Sequence, residues 1–416
     1  MRRDELRSLP VVAEIEWIEG GGVTSPAGWR AGAIYAGIKS YGPEPRFDLG
    51  ILASETPCTV AGVFTRNAIV GPSITLTRDR TAGGVAQALV ANSGISNTAT
   101  GEQGVRDALR MTEFAARQAG VEPEHVLIGS TGVIGWPLPM DLIESRIPTI
   151  ELSAEGGTEF SRAIMTTDTV AKHHAVRVTV DGRSYTVGGT AKGSGMIHPD
   201  MATCFCFLTT DAPAGLDWLR ETLRAVADVS INMVDIDMDT STSDTMLLFA
   251  NGLAGGDAVD AAHPAAGPLH EAIEAVAIAL ARDLARDGEG AQTLIEVVVE
   301  GAASIEDARL VARTVSSSPL VKTMVTGRDP NWGRLLMAIG RSGAEVVEQT
   351  ITITIAGQCT FERGTPADAD LQQLAAAMDS DEVQLRIDLG RGDGAATAWG
   401  CDLTTEYVRI NADYTT

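Results

Sequence analysis

The residue of this chain best suited to covalent chemistry is a threonine that follows a glycine-rich run. The segment AKGSGMIHPDMATCFCF ends its small residues at Ala202 and Thr203, and a β-prone apolar stretch follows. A threonine hydroxyl after a small residue on a flexible approach can attack the preceding carbonyl carbon, so the pattern predicts self-cleavage between Ala202 and Thr203. The freed α-amine of Thr203, with a pKa of about 7.7 to 8.0, would suit a general base near neutral pH. Thr203 would then supply both the nucleophile and its base.

Further motifs follow one another in a fixed order along the chain. They are VANSG and TGEQG within residues 90–104, GSTGVIG at 129–135, MTTDT at 165–169, DTSTSDT at 239–245, DGEG at 287–290, DPNWGR at 329–334 and the ending WGCDLTTEYVRINADYTT. With the segment around Thr203, this order closely resembles the ornithine acetyltransferases, also called the bifunctional ArgJ proteins of arginine biosynthesis. The resemblance spans nearly the whole chain.

The resemblance implies an acyltransferase that works without a cofactor. The acetyl group of N2-acetyl-L-ornithine would move to Thr203 and then to L-glutamate in a ping-pong cycle, and acetyl-CoA is left open as a co-substrate. An oxyanion hole would come from the Thr131 hydroxyl and the Gly132 N–H, on the turn after the strand-like HVLI. The resemblance also implies a set of substrate-binding residues: Thr167, Lys192, Thr203, Glu289, Asn411 and Thr416.

Two of these residues have side chains whose charge suits the proposed substrates. Lys192 would pair with a carboxylate of glutamate or of the acetylated amino acid. Glu289, inside DGEG, would bind an amine of ornithine. His198, five residues before Thr203, is a candidate to assist cleavage or an ordinary loop residue.

Two other functions stay open on the sequence alone. An N-terminal-nucleophile amidohydrolase or aminopeptidase would share the cleavage but let water resolve the acyl-enzyme. A non-catalytic paralogue would be a binding protein, and its chain would stay uncut.

Composition and charge narrow the class of partner. The chain of 416 residues carries 32 basic and 55 acidic residues, a net charge of −23, which argues against a nucleic-acid or anionic-membrane surface. The N-terminus lacks the apolar core of a signal peptide, and no apolar run approaches the roughly 18 residues of a membrane-spanning helix. We therefore expect a soluble cytoplasmic protein, and its small-molecule substrates are implied by the family resemblance alone.

No metal site is expected. The five cysteines show no metal-site spacing and are predicted to be buried free thiols, with Cys204 and Cys206 on the strand face opposite to Phe205 and Phe207. The aspartates at 235, 237, 239 and 244 lack the glycine and glutamate that an EF-hand loop would need.

Hydrophobic patterns predict strands that alternate with amphipathic helices. Helices are expected near 103–119, 139–146, 215–229, 270–286 and 367–378, and strands near 87–91, 125–129, 203–209, 245–250, 294–300, 349–355, 383–388 and 396–402. The segment AVRVTVDGRSYTVGG predicts a hairpin with Asp181 and Gly182 at its turn. DPNWGR predicts a helix start with Asp329 as N-cap, and YVRINADY predicts a C-terminal strand.

These elements predict an α/β protein with mixed sheets packed against helices. The resemblance implies the DmpA/ArgJ-like architecture, self-cleaved into an intertwined α chain (1–202) and β chain (203–416). That boundary is proteolytic and need not separate domains. A heterotetramer of two α and two β chains is the oligomer that the resemblance implies.

Overall fold

The computed structural model describes residues 14–39, 45–198 and 204–413. Ala202, Thr203 and Thr416 lie outside these ranges. Two mixed sheets and eleven α-helices occur in the described part, which confirms the predicted mixed α/β class. No helix in that part is both long and apolar enough to cross a membrane.

Sixteen strands are present among the described residues. In chain order they are β1 (Ile15–Trp17), β2 (Trp29–Ile34), β3 (Leu49–Phe64), β4 (Val85–Asn92), β5 (Val126–Ser130), β6 (Lys172–Val180), β7 (Arg183–Lys192), β8 (Phe205–Thr210), β9 (Val234–Asp235), β10 (Thr245–Ala250), β11 (Leu294–Ala302), β12 (Thr352–Ile355), β13 (Gln358–Glu362), β14 (Thr365–Pro366), β15 (Glu382–Asp388) and β16 (Gly394–Cys401).

The first sheet has the order β1-β6-β7-β8-β10-β3-β4-β5, with β2 also paired to β3. The 16-residue β3 is long enough to pair with β10 along its C-terminal part and with β2 along its N-terminal part. The second sheet has the order β14-β13-β12-β15-β11-β16-β9.

The first sheet curls back on itself. Four strand spacings separate β5 from β8 in the pairing order, which is about 19 Å in a flat sheet. The Phe205 ring at the start of β8 nevertheless lies 3.1 Å from where a Cβ on Gly129 of β5 would stand. Phe205 also shares a buried cluster with Leu89 of β4 and Leu127 of β5. The turn after β5 is therefore brought to the region where β7 ends and β8 begins.

The helices cover the outer faces and fill the space between the sheets. They are α1 (Pro72–Ala82), α2 (Gly101–Ala119), α3 (Met140–Arg146), α4 (Gly157–Ala163), α5 (Leu216–Val229), α6 (Ala266–Arg286), α7 (Ile305–Ser316), α8 (Pro319–Thr326), α9 (Trp332–Gly340), α10 (Leu371–Ala377) and α11 (Thr405–Asp413). The long α6 packs on β6 and β7 of the first sheet and on β16 of the second. Its buried side chains belong to the largest apolar cluster, which joins both sheets.

The five predicted helices and eight predicted strands are present, with shifted ends. The hairpin is confirmed, since Asp181 and Gly182 have φ angles of 50° and 77° as a two-residue turn requires. The cap at DPNWGR is wrong: α9 begins at Trp332, because Asn331 N–H donates to the Asp329 carbonyl oxygen in a turn that precedes the helix.

The cysteines follow the prediction with one exception. Cys204 and Cys206 lie in the cluster between the sheets, and Phe205 and Phe207 lie in the cluster on the other face of β8. Cys359 is exposed, so the prediction of a buried thiol is wrong there. It sits on β13, next to the short terminal strand of the second sheet, which leaves its side chain open to solvent.

Candidate active site

One cavity of about 410 Å³ collects the candidate residues that the structure describes. They come from the turn after β5, the loop before β6, the end of β7, the loop after α6 and helix α11: Thr131, Gly132, Thr167, Lys192, Glu289 and Asn411. Cys204, the residue that follows Thr203 in the chain, also lines this cavity. Residues distant in sequence therefore line one cavity, of a size common for small-molecule sites.

Two hydrogen-bond donors lie side by side on the turn after β5. The Thr131 hydroxyl accepts a hydrogen bond from Lys192 Nζ at 3.2 Å, which leaves its own proton available to a third group. The Gly132 amide donates to no acceptor within the described ranges. Only glycine fits here, because φ is 127° and a Cβ would stand 2.3 Å from the Gly94 carbonyl carbon. The turn thus offers the two donors that an oxyanion needs.

Lys192 contacts one of the two donors of this turn, since its Nζ donates a hydrogen bond to the Thr131 hydroxyl. Its pairing with a substrate carboxylate stays a prediction. The side chain is buried. A cation that donates to this hydroxyl makes the hydroxyl a stronger donor in turn.

The Glu289 carboxylate is hydrogen-bonded to the C-terminal helix. Its Oε2 accepts a hydrogen bond from Asn411 Nδ2 at 2.7 Å, and its backbone N–H donates to the Ser194 carbonyl oxygen. Gly195 packs against it so closely that a Cβ there would stand 2.6 Å from the carboxyl carbon. Thr167 joins the same group through a 2.7 Å contact between its hydroxyl and that of Ser194.

The predicted C-terminal strand is wrong, since Thr405–Asp413 form helix α11. The Thr404 hydroxyl accepts a hydrogen bond from the Glu406 amide at the helix start, and Glu406 pairs with Arg409 one turn later. These local contacts favour a helix over the β preference of the tyrosine, valine and isoleucine. The helix, rather than a strand, carries Asn411 to Glu289.

The glycine-rich run before Thr203 is not a flexible approach over residues 193–198. The Gly193 amide donates to Asp168, and the Met196 and Ile197 amides donate to Asp237 at 2.6 and 2.9 Å. Small residues instead allow the backbone to pass close to Glu289 and its neighbours. The segment therefore enters the cavity along a fixed path.

A buried ion triad beneath the cavity ties these loops together, and the sequence reasoning missed it. Lys172 Nζ contacts Asp168 Oδ1 at 2.7 Å and Asp287 Oδ2 at 2.6 Å, and the three side chains are almost completely buried. Asp168 accepts the amides of Thr166 and Gly193, and Asp287 accepts the amide of Thr169. Burial alone would raise the pKa of Asp168, but the charge of Lys172 lowers it to about 2. In the sequence, this triad is indicated only by the presence of Asp168 in the motif MTTDT and of Asp287 in the motif DGEG.

Lys172→Met should destabilise the protein strongly. Two buried carboxylates would lose their cation, and breaking a buried pair from one side costs about 3 to 5 kcal/mol. The free energy of unfolding from urea titration measures the loss. Arg386→Met is the matched control, because Arg386 pairs with Glu300 at the surface, where an ion pair contributes little. An equal loss in both variants would contradict the structural role of the triad.

The aspartates considered as metal ligands have other partners. Asp235 accepts hydrogen bonds from His198 Nδ1 at 2.7 Å and from Lys322 Nζ at 3.3 Å, and Asp237 accepts three backbone amides. No set of three or more His, Cys, Asp or Glu side chains converges within the part of the chain that the structure describes. His198, the last described residue before position 199, thus contacts the buried ion pair of Asp235 and Lys322. A role in cleavage stays a prediction.

Cys204 and Cys206 are poorly placed to act as nucleophiles. Burial raises the pKa of the Cys204 thiol well above its usual value and that of Cys206 to about 12. Both sulfurs therefore stay protonated near neutral pH.

Comparison with known proteins identifies close relatives. The model of the ArgJ family matches residues 30–416. The chain is 47% identical over 404 residues to the arginine biosynthesis bifunctional protein ArgJ of Symbiobacterium thermophilum, and 44% identical over 404 residues to that of Dehalococcoides mccartyi. Each alignment covers 97% of this chain and 100% of the relative. A crystal structure of ArgJ from Bacillus halodurans is 40% identical, covers 50% of this chain and 98% of its own, and has a TM-score of 0.49.

Proposed function

Since this chain belongs to the ArgJ family, we propose that it transfers the acetyl group of N2-acetyl-L-ornithine to L-glutamate in arginine biosynthesis. The reaction is acyl transfer, so it needs a nucleophile, a base and an oxyanion hole. The convergence of the Thr131 and Gly132 donors with the Glu289 and Asn411 pair in one cavity, next to Cys204, is the observation that supports this function.

Maturation comes first in the proposed sequence of steps. The Thr203 hydroxyl attacks the Ala202 carbonyl carbon, and the peptide C–N bond breaks as the nitrogen takes up a proton. Water then hydrolyses the resulting ester. Ala202 ends as a carboxylate, and Thr203 regains its hydroxyl with a free α-amine beside it. That amine is the base for every later step.

The catalytic cycle has two half-reactions. In the first, the Thr203 hydroxyl loses its proton to the α-amine and attacks the acetyl carbon, the oxyanion is held by Thr131 and Gly132, and ornithine leaves with the proton. In the second, the amine of glutamate attacks the acetyl ester, and Thr203 recovers its proton as N-acetylglutamate departs. Glu289 with Asn411 is suited to the free amine of ornithine, and its loop is held by the buried triad.

Protein groups supply every catalytic part, so the proposal includes no bound cofactor. Acetyl-CoA enters only as a second acetyl donor. The proposed mature form is cytoplasmic, with residues 1–202 and 203–416 assembled as two α and two β chains.

Initial-rate kinetics distinguish the transferase from a hydrolase. Double-reciprocal plots with acetylornithine varied at several glutamate concentrations should be parallel lines, because the acetyl-enzyme separates the two substrates. N-acetylglutamate should form at the rate at which ornithine is released. Acetate formed as fast without glutamate as N-acetylglutamate forms with it would identify a hydrolase instead. A chain that stays uncut and inactive would identify a non-catalytic paralogue.

A further inference from the structure

The cavity must accept two substrates whose side chains end in opposite charges. N2-acetyl-L-ornithine carries one carboxylate and a side-chain ammonium, whereas L-glutamate carries a second carboxylate at the same number of bonds from its α-carbon. The α-nitrogen is the acetylated atom of the donor and the attacking atom of the acceptor, so each substrate presents it to the same acetyl group. The second carboxylate of glutamate therefore needs a binding partner that acetylornithine does not need.

Glu289 suits the ammonium of ornithine and not the second carboxylate of glutamate. Its carboxylate is 6% exposed and already accepts the Asn411 side-chain amide at 2.7 Å. Another carboxylate beside it would meet a like charge in a poorly solvated place, which is unfavourable. The other acidic side chains that line the cavity, Asp237, Asp239 and Asp244, supply no positive charge either. A cation elsewhere on the wall is required.

Among the lining residues that the structure describes, two carry a positive charge, Lys39 and Lys192. Lys192 Nζ contacts the Thr131 hydroxyl at 3.2 Å, so it lies at the proposed oxyanion hole. This place, next to the reacting acetyl group, suits the α-carboxylate that both substrates have. Lys39 is the other cation, and it comes from the connection between β2 and β3, on the opposite side of the proposed cut from Glu289.

The backbone that leads to Lys39 is fixed by a buried carboxylate. Asp48 is completely buried and accepts the amides of Ala36, Gly37 and Ile38 at 2.6, 2.9 and 2.7 Å. The Ile38 side chain packs in the apolar cluster beside β3 and β4. Lys39 follows directly, so its Cα is held at the cavity wall although its side chain is long.

The Lys39 ammonium is partly removed from water. Burial of this side chain lowers its pKa from the ordinary lysine value. A desolvated ammonium gains more from a carboxylate than one in bulk water does, because the attraction between the two charges is less screened.

We propose that Lys39 is a specificity-determining residue for the acceptor, with its ammonium pairing with the side-chain carboxylate of L-glutamate. The inference rests on the proposed function, because it assigns a role in the second half-reaction. Acetylornithine has no carboxylate at that end, and its ammonium is suited to Glu289 instead. Lys39 should therefore matter for the acceptor and have little influence on the donor.

Lys39→Met tests this role through the choice between glutamate and glutamine as acceptors. Glutamine has the shape of glutamate with an uncharged amide at its end. Loss of a charge-assisted hydrogen bond should raise the KM for glutamate about tenfold or more, and the preference for glutamate over glutamine in kcat/KM should fall by the same factor. The rate of acetylornithine cleavage in the first turnover, measured as ornithine released without an acceptor, should change little.

Two further variants serve as controls. Lys39→Arg keeps the charge and should retain most of the preference for glutamate. Arg46→Met removes an exposed cation seven residues later that lines another cavity, and it should leave the preference unchanged. Rates are normalised to the amount of cut β chain seen on denaturing gels. If Lys39→Met does not fold, Lys39→Gln, which keeps a polar side chain without the charge, decides the question.

Three results would overturn the inference while leaving the proposed function intact. One is an unchanged preference for glutamate in folded Lys39→Met. Another is an equal rise in the KM for acetylornithine and for glutamate, which would assign Lys39 to the α-carboxylate. The third is an equal loss with glutamate and glutamine together with a lower Tm, which would assign Lys39 to structure. A wild type that transfers no acetyl group to glutamate would instead refute the proposed function itself.

Discussion

Thr203→Ala should yield one uncut chain of 416 residues without acetyl-transfer activity. Alanine has no hydroxyl to attack the Ala202 carbonyl carbon, so neither the cut nor the free α-amine can form. The wild type should give two fragments, residues 1–202 and 203–416. Denaturing electrophoresis and N-terminal sequencing of the smaller products measure both outcomes.

Thr203→Ser is the control for this substitution, because serine keeps the hydroxyl and should still cut and transfer. A mature β chain that begins at any residue other than Thr203 would contradict the prediction. Acetyl transfer by the alanine variant would contradict it equally.

Thr131→Ala should slow acetyl transfer by about a hundredfold or more while the fold stays intact. The hydroxyl lies on a turn at the cavity wall and accepts a hydrogen bond from Lys192, so its own proton is free to stabilise the tetrahedral intermediate. Loss of one such donor costs about 2.7 to 4 kcal/mol in the transition state. Because the interaction strengthens in the transition state, kcat should fall while KM changes little.

Thr131→Ser keeps the hydroxyl and should retain most of the rate. Thermal unfolding of each variant provides the second measurement. A loss of stability as large as the loss of transition-state stabilisation would assign Thr131 to the structure of the turn instead.

Local patterns predicted much of the secondary structure. The alternation around Asp181 and Gly182 was sufficient for the hairpin, because a two-residue turn and period-two apolar positions leave one register. The candidate residues, by contrast, came from family resemblance, because a threonine in a turn or a glutamate between glycines has no distinctive period. The cavity that unites the described candidates depends on contacts between distant segments.

The remaining features depend on tertiary structure and could not be predicted from local patterns. The contact between Phe205 and Gly129 requires the first sheet to curl, and hydrophobic alternation within β5 or β8 carries no information about that curvature. Lys172 belongs to none of the sequence motifs, and its role appears only when Asp287, 115 residues later, lies beside it. Asp244 reads as the end of a loop until the parallel pairing of β8 and β10 sets it next to Cys204.

The place of β8 in the first sheet implies that refolding after thermal unfolding would depend on whether the chain has undergone the proposed cut. β8 lies between β7, which precedes the proposed cut, and β10, which follows it, so sheet hydrogen bonds join the two products across their own boundary. In the uncut chain, β7 and β8 find each other as parts of one molecule. Once cut and unfolded, the fragments must meet by diffusion, so refolding becomes second order and slows on dilution. If the proposed cut occurs, the cut protein should refold less readily than the uncut chain, and its lifetime on heating should be governed by its unfolding rate.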